Sequence, residues 1–245
     1  MAERKPWTRR DQVLVLELYS RTPFGKMHKT NPDVLELAAF LERSPSSIAM
    51  KLANFASLDE NLDRKGLDGA SQADREIWKE FFADPETFLK QARSIRGAGG
   101  EWDEPDDPEP LNFREGEEVM RLVKTRRNQS IFRSMVLSSY DATCAITGIS
   151  NPDLLVASHI VPWRTDAKLR LDPRNGICLN PLHDKAFDAG LISLTDDLSV
   201  IRSPRLQVPN SMMSQFEGLR AKAPSKFRPL PEYLQHHRDV IFRSK

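Results

Sequence analysis

The stretch "VASHIVPWRTDAKLRLDPRNGICLNPLHDKAFDAG", residues 156–190, decides how the second half of this chain folds. It holds two of the chain's five histidines, His159 and His183, with Asn175-Gly176 between them. "DLLVASHIVPW" is short, apolar and β-branched, "RLDPRNGICLN" contains a second such run, and "PLHDKAFDAG" has the texture of a short helix. "LISLTDDLSVIR" then supplies a hairpin with "TDDL" at its turn. The pattern predicts strand, turn, strand, helix and hairpin over residues 142–200, with His159 at a strand end and His183 at a helix start. Taken singly, a histidine beside apolar residues is most simply a satisfied structural side chain. The ordered set of His, Asn and His asks for more.

Working outward, "NFREGEEVMRLVKTRRNQSIFRSMVLSSY" predicts a charged helix followed by a second one, with Ile131, Phe132, Met135 and Val136 on the inner side. Arg121, Lys124, Arg126, Arg127 and Arg133 make this the densest basic cluster. Such a run is either a solvated helix face or a surface for phosphates. Before it lies "RGAGGEWDEPDDPEP", residues 96–110, glycine-rich and then acidic with proline, a composition that cannot bury enough apolar surface to order itself. This segment is expected to link a helical part, 1–95, to a mixed part, 111–245.

In the helical part, "TRRDQVLVLELYSRT" spaces Val13, Leu14, Leu16, Leu18 and Tyr19 as a mostly buried helix, with Thr8 as its cap. "NPDVLELAAFLER" offers Asn31 as cap, Pro32 at the first turn, and Val34, Leu35, Ala38 and Leu41 as the inner face. "SPSSIAMKLANF" repeats the device with Ser44 and Pro45, burying Ile48, Leu52 and Phe55. One supporting helix is expected over 72–95. The last pair of capped helices has the form of a helix-turn-helix, whose second helix would offer Ser46, Ser47, Met50, Lys51 and Asn54 to a DNA groove. Helical packing or dimerisation is the plainer use of the same pattern. With the opening "WT", residues 7–55 resemble trihelical Myb-like DNA-binding domains.

Composition narrows the rest. The 245 residues are 39% hydrophobic and 29% charged, enough for two cores, and 36 basic against 35 acidic side chains leave a net charge of +1. Any contact with a polyanion must therefore rest on local charge. Two cysteines, Cys144 and Cys178, cannot complete a four-thiolate zinc site and are most simply core residues. The absence of a long apolar run or apolar leader makes a cytoplasmic protein without membrane contact the expectation.

Taken together, "CAITG", "SHI-x-P-W", the Asn-Gly of the second strand and "LHDKAFDAGLISL" resemble the HNH endonuclease family, over roughly residues 113–200. The resemblance implies an α+β chain: an N-terminal helical bundle with a helix-turn-helix-like unit, then a ββα-metal nuclease domain. It also implies a metal-dependent DNA endonuclease of restriction or defence type. In the family's scheme the first histidine is the general base, the central asparagine orients it, and the helix histidine binds the metal. Those roles fall on His159, Asn175 and His183. Phosphodiester hydrolysis needs these types: a base that is neutral near operating pH, and positive charge near the phosphate. Asn175-Gly176 also suits a plain turn.

One departure stands out. Many members carry Asp or His directly before the base, where this chain has Ser158, a poor ligand. Asp188, and after it Asp184, are the candidates to join His183, although Asp184 also suits a helix cap or a pair with Lys185. So few protein ligands fit Mg²⁺ or Mn²⁺ better than a closed cage, while imidazole also suits Ni²⁺ and Zn²⁺. Arg164, Lys168, Arg170 and Arg174 between the strands are candidate phosphate grips, or idle surface charge. Double-stranded DNA is the expected partner, and a homodimer is what double-strand cutting by one site per chain calls for. A catalytically inactive DNA-binding regulator, favoured by Ser158, and an RNA-directed nuclease are the alternatives.

Overall fold

In the computed structural model the chain is described over residues 5–59, 69–97 and 117–245, without the side chains of 117–124. Residues 98–110 of the expected linker, and the side chains of Arg121 and Lys124, lie outside that set. The chain divides into two compact units, Met1–Ile131 and Phe132–Lys245. The first is all-helical and the second mixes short strands with helices, an α+β architecture.

The first unit is built around α1 (Arg9–Arg21), which packs against α2 (Pro32–Phe40), α3 (Pro45–Ala56), α4 (Gln72–Ala83) and α5 (Pro85–Arg96). Encirclement explains why α1 is buried nearly all round, with Val13 to Leu16, Leu18 and Tyr19 fully enclosed and the polar Asp11, Gln12, Glu17 and Ser20 buried among them. The caps are as the sequence suggests: Thr8 in a reciprocal capping box with Asp11, Asn31 and Ser44 each ahead of a proline.

Three expectations are corrected here. Residues 72–95 are two helices, because Asp84 caps a new helix that begins at Pro85. Leu35 is 47% exposed, and Leu37 takes its place in the core. Lys51 does not face outward from α3: it is 5% exposed and bonds both Asp74 oxygens at 3.0 and 2.9 Å, with its ammonium 4.8 Å from the Trp7 ring centre. Burial alone would raise the Asp74 pKa, but hydrogen bonds from Lys51, Ser71 and Gln12 outweigh it and hold the group below its ordinary value. The outward side of α3 therefore shows Ser46, Met50 and the half-buried Asn54, and no cation.

A single helix, α6 (Glu117–Ser139), replaces the two expected before the strands, and the division between units falls within it. In the second unit α6 presents Phe132, Met135 and Val136 as buried side chains. Strands β1 (Val156–His159) and β2 (Gly176–Leu179) pair antiparallel with His159 opposite Gly176. Helix α7 (Pro181–Asp188) packs against both. A hairpin of β3 (Ile192–Leu194) and β4 (Val200–Arg202) turns through Thr195–Ser199, as "TDDL" implies. Helices α8 (Asn210–Met213) and α9 (Pro231–His236) follow, and a π-turn, His237–Ile241, extends α9.

Two glycines hold this unit close. Gly176 has φ −126°, so it serves no turn; a methyl there would lie 2.3 Å from Val136 Cγ2 and 2.9 Å from Phe132 Cζ. Its absence lets α6 press onto the hairpin beside His159. Gly190, at φ +67°, ends α7, and a methyl there would meet the Ile241 carbonyl at 2.0 Å.

Candidate active site

The segment from 160 to 175 returns the chain from β1 to β2, and Asn175 pins it. Its amide donates to the carbonyls of Val161 (3.0 Å) and Leu169 (3.2 Å), while its oxygen accepts from the Val161 N–H (2.8 Å). One buried side chain thus ties both flanks of the loop in which β1 ends. Asp172 adds a second tie: it caps Arg174, pairs with that guanidinium at 2.7 Å and accepts from the Tyr233 hydroxyl of α9 at 3.1 Å.

His159, at the mouth of this loop, is half-buried. The Phe132 ring stacks on it at 3.7 Å between centroids and 11° between planes, and Trp163 meets it edge-on at 5.3 Å. Its Nε2 lies 3.1 Å from the Arg170 carbonyl oxygen, which can only accept. Neutral His159 therefore carries its proton on Nε2 and a lone pair on Nδ1, and Nδ1 has no hydrogen-bond partner among the described residues. Burial lowers its pKa to about 4, with the Arg170 carbonyl opposing the shift. The ring is accordingly neutral at physiological pH, oriented on one nitrogen and without a partner on the other among the described residues.

His183 differs in every respect that matters for ligation. It sits in the first turn of α7 at 0% exposure, with Nδ1 3.0 Å from Asn180 Oδ1 and Nε2 2.7 Å from the Gln215 carbonyl oxygen. Both of these oxygens can only accept, so the neutral ring, with one N–H, donates to one of them, while both nitrogens face oxygen atoms of the protein itself. Asp188 lies on the exposed side of α7 and Asp184 is half-buried. Burial, reinforced by Asp184, raises the Asp188 pKa. The Ser158 hydroxyl is buried without a partner among the described residues. Among the described residues no three His, Cys, Asp or Glu side chains are grouped to hold a metal ion. The ligand set built on His183 and Asp188, with Ser158 beside His159, does not fit a resident divalent cation in this arrangement.

The candidate phosphate grips also separate. Arg164 and Lys168 are exposed in the loop, as are Arg126 and Arg127 on α6 of the first unit. Arg133, Arg170 and Arg174 face inward instead. Arg133 clamps the Leu155 and Pro152 carbonyls at 2.7 and 2.9 Å, Arg170 bonds the Trp163 carbonyl at 2.9 Å, and Arg174 holds Asp172.

Sequence reasoning passes over Phe132 as a partner of His159, and over Asp172, Tyr233 and Gln215. The Asp-Pro at 172–173 is a turn signal that points to Asp172. The others act across long separations and leave no local mark.

Residues 144–195 match the family model described as HNH endonuclease, so the second unit carries an HNH endonuclease domain. The helical region matches no Myb-like or helix-turn-helix family. No curated protein matches the chain. The HNH family implies a nuclease acting on nucleic acid, with DNA the implied substrate, and its members typically use a divalent metal. Among the described residues no helix is long and apolar enough to cross a membrane.

Proposed function

We propose that this chain is a DNA endonuclease of restriction or defence type in which His159 is the general base. The observation that carries the reading is the hydrogen bond from His159 Nε2 to the Arg170 carbonyl, which puts the proton on Nε2 and makes Nδ1 the basic nitrogen. Nδ1 takes a proton as the water oxygen attacks phosphorus in line with the 3′ oxygen. The P–O3′ bond then breaks with its electron pair leaving on O3′, which takes a proton from solvent, and the phosphate stays on the 5′ oxygen. Asn175 does no chemistry; it fixes the loop that supplies the Arg170 carbonyl and so sets the direction of the ring. Arg164 and Lys168, exposed in that loop, are the side chains of this unit we assign to backbone phosphates.

The division into a helical part, 1–95, an acidic linker, 96–110, and a nuclease part, 111–245, belongs to this reading, as does a dimer for cutting both strands. The cation expected in the assay is Mg²⁺ or Mn²⁺.

A second reading, an inactive HNH-fold DNA-binding regulator, is favoured by Ser158 and by the lack of grouped ligands among the described residues. One plasmid assay separates the two, run with Mg²⁺, with Mn²⁺ and with EDTA, on wild type and His159→Ala. Cutting that needs metal and vanishes in His159→Ala supports the nuclease. Duplex binding without cutting in any metal supports the regulator, and faster loss of an RNA competitor would move the substrate from DNA to RNA.

A further inference from the structure

The "CAITG" segment is a tight turn in which Gly148 N–H bonds the Cys144 carbonyl at 2.9 Å and Cys144 N–H bonds that of Ile149 at 2.7 Å. Cys144 is fully buried, and its sulfur accepts two backbone N–H groups, from Thr147 at 3.5 Å and from Asn180 at 3.3 Å. The second donor opens α7, on the far side of the hairpin in sequence. There Asn180 bonds the Thr147 hydroxyl at 3.4 Å through Nδ2 and faces His183 Nδ1 at 3.0 Å through Oδ1. Two pairs, Cys144-x-x-Thr147 and Asn180-x-x-His183, thus meet in one cluster, each pair with two residues between its members.

That spacing is the one two knuckles use to enclose a structural zinc ion. In a tetrahedral site ligand atoms stand roughly 1.6 bond lengths apart, about 3.3 Å for nitrogen and about 3.8 Å for sulfur ligands. The side-chain contacts of 3.0 and 3.4 Å fall close to the first of these edges. Two of the four groups, the Thr147 hydroxyl and the Asn180 amide, are poor zinc ligands. Hydrogen bonds join the knuckles instead. The remaining ring nitrogen, His183 Nε2, extends the tie to the Gln215 carbonyl at 2.7 Å, just beyond α8.

We propose that Cys144, Thr147, Asn180 and His183 form a metal-free structural knuckle, laid out like a four-ligand zinc site, in which His183 is a structural tie. The proposal goes beyond the nuclease reading and stands even if the chain never cuts DNA. It accounts for a histidine that is wholly buried and faces an oxygen of the protein at each ring nitrogen.

The test converts the cluster into what it resembles. In the full chain, Thr147→Cys with Asn180→Cys supplies two thiols beside Cys144 and His183. Cobalt titration is expected to load one Co²⁺ per chain with the visible absorption of a tetrahedral thiolate site, while wild type shows none. Adding His183→Leu to the double variant is expected to weaken cobalt binding by at least about tenfold. In the otherwise native chain, His183→Leu removes the ring's donor and its packing beside the Gln215 carbonyl, while Asn180 Oδ1 keeps the backbone N–H of residue 183, and is expected to lower Tm by about 5 °C or more. A double variant that folds without taking cobalt, or that stays unfolded with and without it, overturns the proposal. So does His183→Leu with an unchanged Tm. None of these readouts depends on nuclease activity.

Discussion

The end of β1 and the first turn of α7 each hold a histidine, in elements packed against one another, yet the two regions treat the ring in opposite ways. At His159 one nitrogen is tied to the Arg170 carbonyl and the other has no partner among the described residues; at His183 both face oxygen atoms of the protein. His237 sharpens the contrast. It is stacked on Phe187 at 3.7 Å much as His159 is on Phe132, and burial likewise lowers its pKa to about 4. Its Nδ1 meets Ser193 at 2.8 Å and its Nε2 the Phe187 carbonyl at 3.1 Å. Stacking and a depressed pKa therefore do not distinguish a base from a structural ring. The unfilled nitrogen does.

The contrast predicts opposite phenotypes, and the largest effect belongs to His159. His159→Ala is expected to slow DNA cleavage by roughly 10²- to 10⁴-fold with a small change in Tm, whereas changes at His183 act mainly on Tm. Single-turnover cleavage beside thermal denaturation measures both, and a His159→Ala enzyme that still cuts at full rate breaks the contrast. Asn175→Ala should join the two behaviours. It leaves the Val161 N–H and carbonyl without their partner and takes one of two donors from the Leu169 carbonyl, for a loss of roughly 2–4 kcal/mol by denaturant titration, and it frees the loop that aims His159.

Acid gives the next effect in size. His159 and His237 are lowered from 6.5 to about 4, so the unfolded chain binds protons on these rings first. Stability from both is present above pH ~6.5 and is lost as pH falls towards 4, by roughly 3 kcal/mol at the acid limit for the fully enclosed His237. Chemical denaturation at successive pH values reads this directly; His237→Phe should flatten the slope, and an unchanged slope would mean the ring is not held neutral. The smallest effect separates the loop cations. Lys168→Ala is expected to reduce the salt dependence of DNA binding by about one unit of log–log slope, while Arg174→Ala, which removes the partner of buried Asp172, is expected to act on stability.

Much of this was legible in the chain because it is local. Thr8, Asn31 and Ser44 cap the helices they precede, and the order of strands, α7 and hairpin follows from short apolar runs and their turns. What sequence could not disclose depends on distant partners. Lys51 has the position of an outward cation on α3 until Asp74 of another helix is folded against it. Asn175-Gly176 suggests a turn until α6 shows why no side chain is tolerated at 176. His183 looks like a ligand by its place at a helix start, and only the fold brings the Gln215 carbonyl to its second nitrogen. The hydrogen-bond state of a ring is a tertiary property, so residue type and spacing named the candidates without sorting them.

The account turns on the protonation pattern of a single imidazole, which ¹⁵N-edited NMR of the histidine side chains reads without any assay of cleavage. At pH 6 it predicts His159 neutral, with hydrogen on Nε2 and a bare Nδ1. A ring found protonated on Nδ1, or positively charged at that pH, would contradict it.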